Sequence, residues 1–569
     1  MSVSGQRGTQ GLMPEFFQDP PRLGNQYDDD ALLRAYLRWR LPANMLAELE
    51  PDLQRLGHRA VTDILALGEL AEASPPRHIA YDAWGCRVDR IETSDAWREL
   101  DRISATEGIV ATGYERTHGA HSRIHQFARL YLFAPSSALY SCPLAMTDGA
   151  ARFLEVHGDK NTQPTFAHLT SRDPNEFWTS GQWMTERTGG SDVGSTSTIA
   201  RCDKGDTYSL YGSKWFTSAT TSQVAMTLAR IEGTPAGSRG LSAFLINLRD
   251  SNGKLRNIRI ERLKDKLGTR ALPTAELTLE GTPAQLVGGA GDGIRKIATL
   301  FNITRVYNAV AGVAGMRRAV ALASDYARRR RAFGKPLIEH PLHVETLAEM
   351  HLELRAAFLL AFRVVELLGR DESGNAAESE SQLLRFLIPV AKLYTAKQAI
   401  AVASEALEAF GGAGYVEDTG IPRLLRDAQV LSIWEGTTNI LSLDALRAME
   451  RTDALAVWTA DVKRRLSDLK VSALSSCTEP TLRAVQRIEE YAGRARTAES
   501  EFQQAGARGF AFAVARTEAA ALLVEQANAQ GDHAAVTAAR RWCARELAPL
   551  VEADAEHRAG SVALEKTTN

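Results

Sequence analysis

Cysteine is scarce in this 569-residue sequence, which has five, an odd number spread along the chain without a CxxC pair. They are Cys86, Cys142, Cys202, Cys477 and Cys543. No histidine lies near them at the spacing of a zinc site. The sequence therefore predicts no disulfide framework and no metal site, and it indicates a reducing compartment.

Long apolar runs are also absent. The most apolar stretches, such as residues 356–362, meet Arg, Glu or Lys within a few residues, well short of the roughly 20 residues that span a bilayer. The first residues, MSVSGQRGTQGLMPEFF, lack the apolar core of a secretory signal, and the last three match no retention or peroxisomal tag. We therefore expect no membrane helix and a cytoplasmic protein, with a short mitochondrial leader as the alternative.

Neither sign of charge dominates. The chain carries 67 Lys and Arg against 69 Asp and Glu, a formal charge of −2, so the whole protein has no attraction for nucleic acid or an anionic surface. Its length exceeds what one hydrophobic core supports, which predicts several domains.

The pattern of apolar and polar residues changes along the chain. Helical periodicity is followed by short β-rich runs separated by Gly, Asp and Pro, and helical periodicity returns after Gly293. On one later helix Leu383, Leu387, Val390 and Tyr394 share a face. The predicted fold class is α+β, with an N-terminal helical domain (1–180), a middle β-domain (181–288), a helical bundle (289–450) and an appended helical domain (451–569).

Four short segments have the residue types of a ligand site. Residues 183–193, WMTERTGGSDV, contain a Gly-Gly turn that lets backbone approach a ligand, and residues 212–218, GSKWFTS, combine aromatic rings with a hydroxyl. Residues 411–414 are GGAG, and residues 433–440 are IWEGTTNI, in which Glu435 has the chemistry of a base. Each segment alone is more often an ordinary turn, a core strand or a surface glutamate.

Taken in order, these segments resemble the acyl-CoA dehydrogenase family, whose members carry a TE-(x)-GSD loop, a K-W-(x)-T strand, an R-(x)-x-F-G helix end, a GG-x-GY turn and an EGT segment. The matches fall at residues 185–192, 214–217, 330–334, 411–415 and 435–437. The similarity covers residues 140–450 and includes RLKDKLGTR. The SIWEG segment and the additional C-terminal domain are most similar to the AidB-like subgroup.

The resemblance implies FAD as the cofactor, an acyl-CoA or related thioester as the substrate, and a homotetramer. It implies FAD contacts for the following residues: Met184, Thr185, Gly190, Ser191, Trp215, Phe216, Thr217, Arg330, Phe333, Gly411, Gly412, Thr437 and Asn439. Of these, Arg330 and Phe333 would reach the FAD of a neighbouring subunit. Two glutamines that hold FAD in the family are replaced here, by Pro341 and Glu408.

The resemblance also implies the chemistry. A base removes the α-proton of the thioester while a hydride leaves the β-carbon for the flavin, and Glu435 matches that base. Some members of the family place the base on an earlier helix, directly before an arginine. Here that position is Thr304, before Arg305, and a threonine cannot serve as the base. Thr185 and Trp434 are implied substrate contacts, and Arg305 is a candidate for positioning the thioester or the Glu435 carboxylate. The acyl chain and the electron acceptor stay open.

Two other functions are compatible with these motifs. One is a DNA-associated flavoprotein that protects against alkylation damage, as implied by the AidB-like subgroup. Residues 451–569 carry sixteen basic and sixteen acidic residues, a balance that disfavours DNA binding. A candidate positive stripe remains: Arg447, Lys463, Arg464, Arg465 and Lys470. The other alternative is an oxidase or monooxygenase on the same fold, against which the presence of Glu435 favours dehydrogenation.

Overall fold

The computed structural model describes residues 19–467 and 469–567, and its N-terminal part is mainly helical. Helix α1 begins after Asp30, whose carboxylate accepts the Leu33 N–H, and it ends with basic residues that suit its carboxyl end. The helices of this part are α1 Ala31–Arg40, α2 Ala43–Arg59, α3 Asp63–Ala73, α4 Asp95–Thr106, α5 Thr112–Glu115, α6 Ser122–Phe133, α7 Ser141–His157 and α8 Gln163–Leu169.

The prediction of helices and loops alone is wrong between α3 and α4, where two strands form a hairpin. They are β1 Arg77–Tyr81 and β2 Arg87–Glu92, paired antiparallel. Asp82 closes the turn by accepting the N–H groups of Trp84 and Cys86, both at 2.9 Å. Strands of five and six residues are too short to stand out from the helical periodicity that flanks them.

A β-domain follows, as the short β-rich runs of the sequence predict. Its strands are β3 Ser180–Trp183, β4 Ile199–Lys204, β5 Thr207–Ser218, β6 Val224–Ile231, β7 Leu241–Asn247, β8 Ile258–Leu263 and β9 Thr274–Val287. The sheet order is β3-β6-β4-β5-β9-β7, with β8 on β9, and β7 also pairs with β6, so the strands from β6 to β7 close into a ring. Buried apolar side chains such as Leu210, Phe244 and Leu277 form its core.

The third part is a bundle of long helices. Its elements are α9 Gly293–Arg329, the short strands β10 Arg331–Ala332 and β11 Lys335–Pro336, α10 Pro341–Glu372, α11 Glu378–Ala409, α12 Ile421–Leu431 and α13 Thr438–Arg451. Helix α11 contains Pro389, and the predicted apolar face, with Leu383, Leu387, Val390 and Tyr394, is buried. That prediction is confirmed.

Within the described residues, α11 is the one helix whose length and composition would allow it to cross a membrane, with a hydropathy of 1.2 over its most apolar window. We expected no such helix from the apolar runs of the sequence, because charged residues interrupt them. Inside the protein, 78% of that window is buried. Its apolar side chains therefore already have protein partners in the bundle core.

The last part of the chain adds five helices: α14 Ala454–Leu466, α15 Ser475–Thr497, α16 Ser500–Gln530, α17 His533–Cys543 and α18 Ala555–Lys566. Within the described residues, α14 to α17 share one continuous hydrophobic core with the bundle, whereas α18 has no buried residue. Phe386 of α11 meets Trp458 of α14 edge to face, and Tyr394 of α11 meets Phe512 of α16 in the same way. The architecture confirms the α+β fold with an additional helical domain.

The candidate positive stripe loses one of its five members in the structure, because Arg465 is buried. Its side chain is 1% exposed and pairs with Asp461 and Glu525. Arg464 also pairs with Asp461, at 2.8 Å. Arg464 and Arg465 are consecutive in the sequence, and consecutive residues of a helix point about 100° apart. The packing of α14 against α16 therefore buries Arg465 while Arg464 stays exposed.

Candidate active site

The main chain around Glu435, between α12 and α13, is held in an unusual conformation. Glu435 has φ of +58° and Gly436 has φ of +101°, and the left-handed region is uncommon for a residue with a side chain. Arg305 Nε of α9 donates to the Glu435 carbonyl oxygen at 3.2 Å. Lys392 Nζ of α11 donates to the carbonyls of Trp434 and Gly436 at 2.6 and 2.7 Å. Two helices of the bundle thus fix the segment that presents Glu435.

Lys392 is fully buried in this arrangement. Burial lowers the pKa of its ammonium to about 7, against a raising effect of Glu435. A neutral amine still has N–H groups to donate to both carbonyls. The anchor therefore does not depend on the charge of Lys392.

The Glu435 carboxylate receives hydrogen bonds from two neutral side chains. Thr304 Oγ1 of α9 donates to Oε2 at 2.6 Å. Gln182 Nε2 of β3 lies 3.4 Å from Oε1 and 3.3 Å from Oε2. The carboxylate thus lies where the bundle meets the β-domain.

Trp434 directly precedes Glu435 and is fixed by Asn308 of α9. Its indole N–H donates to Asn308 Oδ1, and Asn308 Nδ2 donates to the Leu431 carbonyl at 3.1 Å. The ring is half-buried. The Trp434 ring is therefore held in a fixed position next to Glu435.

Strand β3 leads from Gln182 into the predicted flavin loop. Met184 is buried, and the Thr185 carbonyl accepts the Trp215 N–H of β5 at 2.9 Å. Gly190 packs so closely on Thr185 that an added Cβ would lie 2.5 Å from its Oγ1, while Ser191 is exposed. The loop and the K-W-(x)-T strand, separate in sequence, are adjacent in space.

A buried ion pair joins the same two segments. Lys214 Nζ donates to Glu186 Oε1 at 2.9 Å, and neither side chain is more than 2% exposed. Glu186 also accepts from the N–H and hydroxyl groups of Ser197 and Thr198. Burial favours protonation of Glu186, but Lys214 and these donors outweigh it and hold its pKa at about 2.

The aromatic residues of β5 remain accessible. Phe216 is 55% exposed, and Lys264 Nζ lies 3.6 Å from the centre of the Trp215 ring and 4.5 Å from that of Phe216. Thr217 is buried and donates to the Ala275 carbonyl at 2.8 Å. Trp215 and Phe216 can therefore meet a flat ligand, whereas the Thr217 hydroxyl is already used within the sheet.

A second group of predicted FAD residues lies around the end of α9. The hairpin turn between β10 and β11 contains Phe333, with φ of +50° and 97% exposure. Arg330, half-buried, precedes this hairpin. Gly411 and Gly412 follow α11 on the surface, with no atom within 4 Å of an added Cβ. A bulky residue held strained and exposed is unfavourable in a lone chain, which favours a partner for this group.

The remaining predicted contacts lie at the start of α13. Thr437 is its N-cap and accepts the Ile440 N–H. Asn439 is exposed, and its Oδ1 accepts from Arg508 of α16 at 3.4 Å. Arg305, expected to position the thioester or the carboxylate, instead holds the Glu435 main chain and pairs with Asp444 at 2.9 Å.

The residues of the predicted flavin site are compatible with a flavin. Gln182 Oε1 is buried and has no hydrogen-bond partner within the described part of the chain, an arrangement that is costly unless a ligand donates to it. Gly190 has no side chain, so its main chain can approach a bound ligand closely. The exposed Phe216 ring offers an apolar surface for a flat ligand. The residues that would hold FAD are thus compatible with it.

Sequence reasoning missed three residues of this site: Gln182, Asn308 and Lys392. Lys392 had a signal, a lone lysine in the apolar run FLIPVAKLY, since a lysine is almost never fully buried without partners. Gln182 is only three residues before Thr185, but nothing in the sequence links it to Glu435.

Models of known families match successive parts of the chain. They are the adaptive response protein AidB N-terminal domain (residues 19–173), the acyl-CoA dehydrogenase middle domain (181–282), the acyl-CoA dehydrogenase C-terminal domain (291–450) and the acyl-CoA dehydrogenase 11 C-terminal domain-like model (453–568).

Relatives match over most of the chain. Acyl-CoA dehydrogenase family member 11 of Caenorhabditis elegans is 43% identical over 556 residues, covering 94% of this chain and 90% of the relative. The putative acyl-CoA dehydrogenase AidB of Escherichia coli K12 is 35% identical, covering 70% and 73%. The crystal structure of C. elegans ACDH-11 in complex with C11-CoA superposes with a TM-score of 0.94 at 41% identity, covering 97% of each chain. An acyl-CoA dehydrogenase complexed with FAD from Bacillus anthracis shares the fold, with a TM-score of 0.72 at 19% identity, covering 92% of this chain and 90% of that one.

The fold and the site define an oxidoreductase of the flavoprotein class that acts on CH–CH groups. The chain belongs to the acyl-CoA dehydrogenase family, whose members bind FAD. Within that family it combines an AidB N-terminal domain with the C-terminal domain of acyl-CoA dehydrogenase 11. The family assignment made from the five sequence motifs is confirmed.

Proposed function

We propose that the protein is an FAD-dependent acyl-CoA dehydrogenase in which Glu435 is the catalytic base. The observation that supports it is the position of the Glu435 carboxylate, held between α9 and β3 at the strand that leads into the flavin loop. When bound, FAD supplies the acceptor for the hydride that leaves the substrate β-carbon.

The chain's own residues perform the proton transfer in this proposal. The α-C–H bond of the thioester breaks and its proton passes to a Glu435 oxygen. Arg305 and Lys392 keep the main chain of Glu435 fixed meanwhile, so little reorganisation accompanies the transfer. Trp434 closes one side and excludes water.

A mostly apolar cavity, whose lining also includes Arg423 and Asp427, supports a fatty acyl chain as the substrate. It is lined by small residues of α9 and α11, among them Gly312, Gly315 and Ala403, and by Leu431 of α12. Gly312 lies roughly 12 Å along α9 from Thr304, at about 1.5 Å per residue, a distance that suits the length of a medium acyl chain. The C. elegans relative was solved with C11-CoA, which agrees with this class.

The test is Glu435→Gln, which is nearly isosteric and cannot take a proton. FAD binding should persist, and the bleaching of flavin absorbance near 450 nm by acyl-CoAs should slow by roughly 10²–10⁴ fold. Glu479→Gln, an exposed glutamate of α15, is the matched control and should react as the wild type does. Reduction of Glu435→Gln at the wild-type rate would show that Glu435 is not the base.

A second variant tests the geometry around the base. Thr304 Oγ1 lies 2.6 Å from the Glu435 carboxylate, so a carboxylate at position 304 would occupy the same region. Thr304→Glu in the Glu435→Gln background should therefore restore part of the flavin reduction.

The arrangement of subunits is proposed as a homotetramer, in which Phe333 and Arg330 contact a neighbour's FAD.

A further inference from the structure

The main chain and the side chain of Glu435 are held by different kinds of group. Two basic side chains donate to main-chain carbonyls: Arg305 of α9 and Lys392 of α11. The charge of Arg305 is matched by Asp444 of α13. Across the described residues, the carboxylate itself makes no ion pair and receives only the neutral donors Thr304 and Gln182.

The orientation of the Gln182 amide follows from this contact. A carboxylate only accepts hydrogen bonds, so Gln182 must turn its NH₂ toward Glu435. Its Oε1 then faces away from Glu435, and that oxygen is buried and unpartnered within the described part of the chain. A buried carbonyl without a donor is unfavourable, which makes Oε1 a ready acceptor for a ligand.

We propose that Gln182 and Thr304 are positioning residues that orient the Glu435 carboxylate for proton transfer, and that Gln182 Oε1 accepts a hydrogen bond from a hydroxyl or N–H of the bound ligand. This inference rests on the proposed function of Glu435. The two hydrogen bonds fix the orientation of the carboxylate oxygens, and a base held in a productive geometry transfers a proton faster than one that rotates freely. Gln182 thereby links ligand binding to the orientation of the base.

Two ligand groups have the required donor chemistry. FAD has hydroxyls on its ribityl chain, and the pantetheine arm of an acyl-CoA has amide N–H groups. Both would present a neutral donor to Oε1. The experiment therefore measures the affinity for each ligand separately.

The variants remove single groups at nearly constant shape. Thr304→Val removes the hydroxyl, and Thr304→Ser restores it as the conservative control. Gln182→Met keeps the length of the side chain and removes both the donor and the acceptor. Each is also made in the Glu435→Gln background, where a residue that acts through the carboxylate has nothing left to orient.

The readout isolates proton transfer from hydride transfer. The FAD-loaded protein is incubated in D₂O with 3,3-dimethylbutanoyl-CoA, which has α-hydrogens and no β-hydrogen, and deuterium uptake is followed by mass spectrometry. At saturating thioester, Thr304→Val and Gln182→Met should exchange roughly tenfold more slowly or worse, and Thr304→Ser should stay near the wild type. In the Glu435→Gln background neither substitution should cause a further loss.

Affinity identifies the donor to Oε1. Binding of FAD to the apoprotein is followed by flavin fluorescence, and binding of 3,3-dimethylbutanoyl-CoA by equilibrium dialysis. Gln182→Met should weaken one of the two by several fold, while Thr304→Val should weaken neither. Unchanged affinity for both ligands in Gln182→Met would overturn the acceptor role of Oε1.

The outcomes separate this inference from the function on which it rests. If the wild type neither exchanges α-hydrogens nor has its flavin bleached by any acyl-CoA, the proposed function fails and the inference fails with it. If the wild type exchanges and both variants match it, only the positioning role is refuted. A further loss in the Glu435→Gln background would mean a general structural effect and would refute the positioning role as well.

Discussion

Lys214→Met should destabilise the β-domain while leaving its shape intact. Lys214 is fully buried and donates to Glu186 Oε1 at 2.9 Å and to the Leu228 carbonyl at 3.1 Å. Methionine keeps the volume of the aliphatic stem and removes the ammonium. Glu186 then keeps its charge inside the domain without its cation.

The size of the effect follows from what Glu186 retains. Removing one partner of a buried ion pair costs about 3–5 kcal/mol. Glu186 would still accept from Ser197 N and Oγ at 2.7 and 2.6 Å and from Thr198 N and Oγ1 at 3.2 and 2.5 Å. The burial that lowers the pKa of Lys214 also reduces the net benefit of the pair. We therefore expect the lower end, about 3 kcal/mol, which corresponds to a fall of roughly 10 °C in the unfolding temperature of a domain of this size.

The pair also predicts a dependence on acid. The pKa of Glu186 is held at about 2, below its usual 4.5. A lowered carboxyl pKa contributes stability that is present above the unfolded value and is lost as pH falls through the folded value. The wild type should therefore lose this contribution between about pH 4.5 and pH 2. Lys214→Met should lose less stability over the same interval. Without Lys214 the pKa of Glu186 is lowered less, so its ionisation contributes less to stability.

Release of flavin fluorescence during a thermal ramp, with circular dichroism in parallel, measures this effect. The double variant Glu186→Gln/Lys214→Met should recover at least half of the loss, because it leaves no uncompensated charge. A Lys214→Met protein as stable as the wild type would refute the reasoning. So would a double variant less stable than the single one.

Further outcomes are expected at other positions. Gly190→Ala should weaken FAD binding by roughly tenfold, because the new methyl would press on Thr185; fluorescence titration of apoprotein checks this, with Gly509→Ala, which has open space, as the control. Gly312→Leu should shift flavin reduction toward shorter acyl-CoAs by filling the cavity, and equal rates for all chain lengths would contradict it. Phe333→Ala should reduce the oligomer seen by light scattering, whereas an FAD-loaded monomer in the wild type would refute the tetramer. Duplex DNA should bind weakly at physiological salt, and a tight, salt-dependent shift abolished by Arg464→Glu would show otherwise.

The sequence was sufficient for the features that local pattern encodes. The order of helical and β-rich parts followed from a change in periodicity, and the family assignment followed from five motifs in the right order. The buried face of α11 was visible from residues such as Leu387 and Tyr394. Each of these signals lies within a short window of the chain.

Long-range contacts could not be predicted in this way. Gln182 and Glu435 are 253 residues apart, and only the folded chain brings β3 to the segment before α13. Arg305 was expected at the thioester or the carboxylate, but the left-handed turn at Glu435 presents a main-chain oxygen to it. The burial of Arg465 likewise depends on how α14 rotates against α16, which periodicity alone does not fix.

The core shared by the bundle and helices α14 to α17 has a consequence for how this chain can be divided. Phe386 and Tyr394 of α11 rest on Trp458 and Phe512, so a protein cut at residue 450 would expose a strip of aromatic surface along its central helix. Such a fragment should be prone to aggregation. The isolated C-terminal helices would lose the α11 surface against which they pack. The C-terminal region is therefore not a transferable module that can be grafted onto another enzyme or removed to simplify this one.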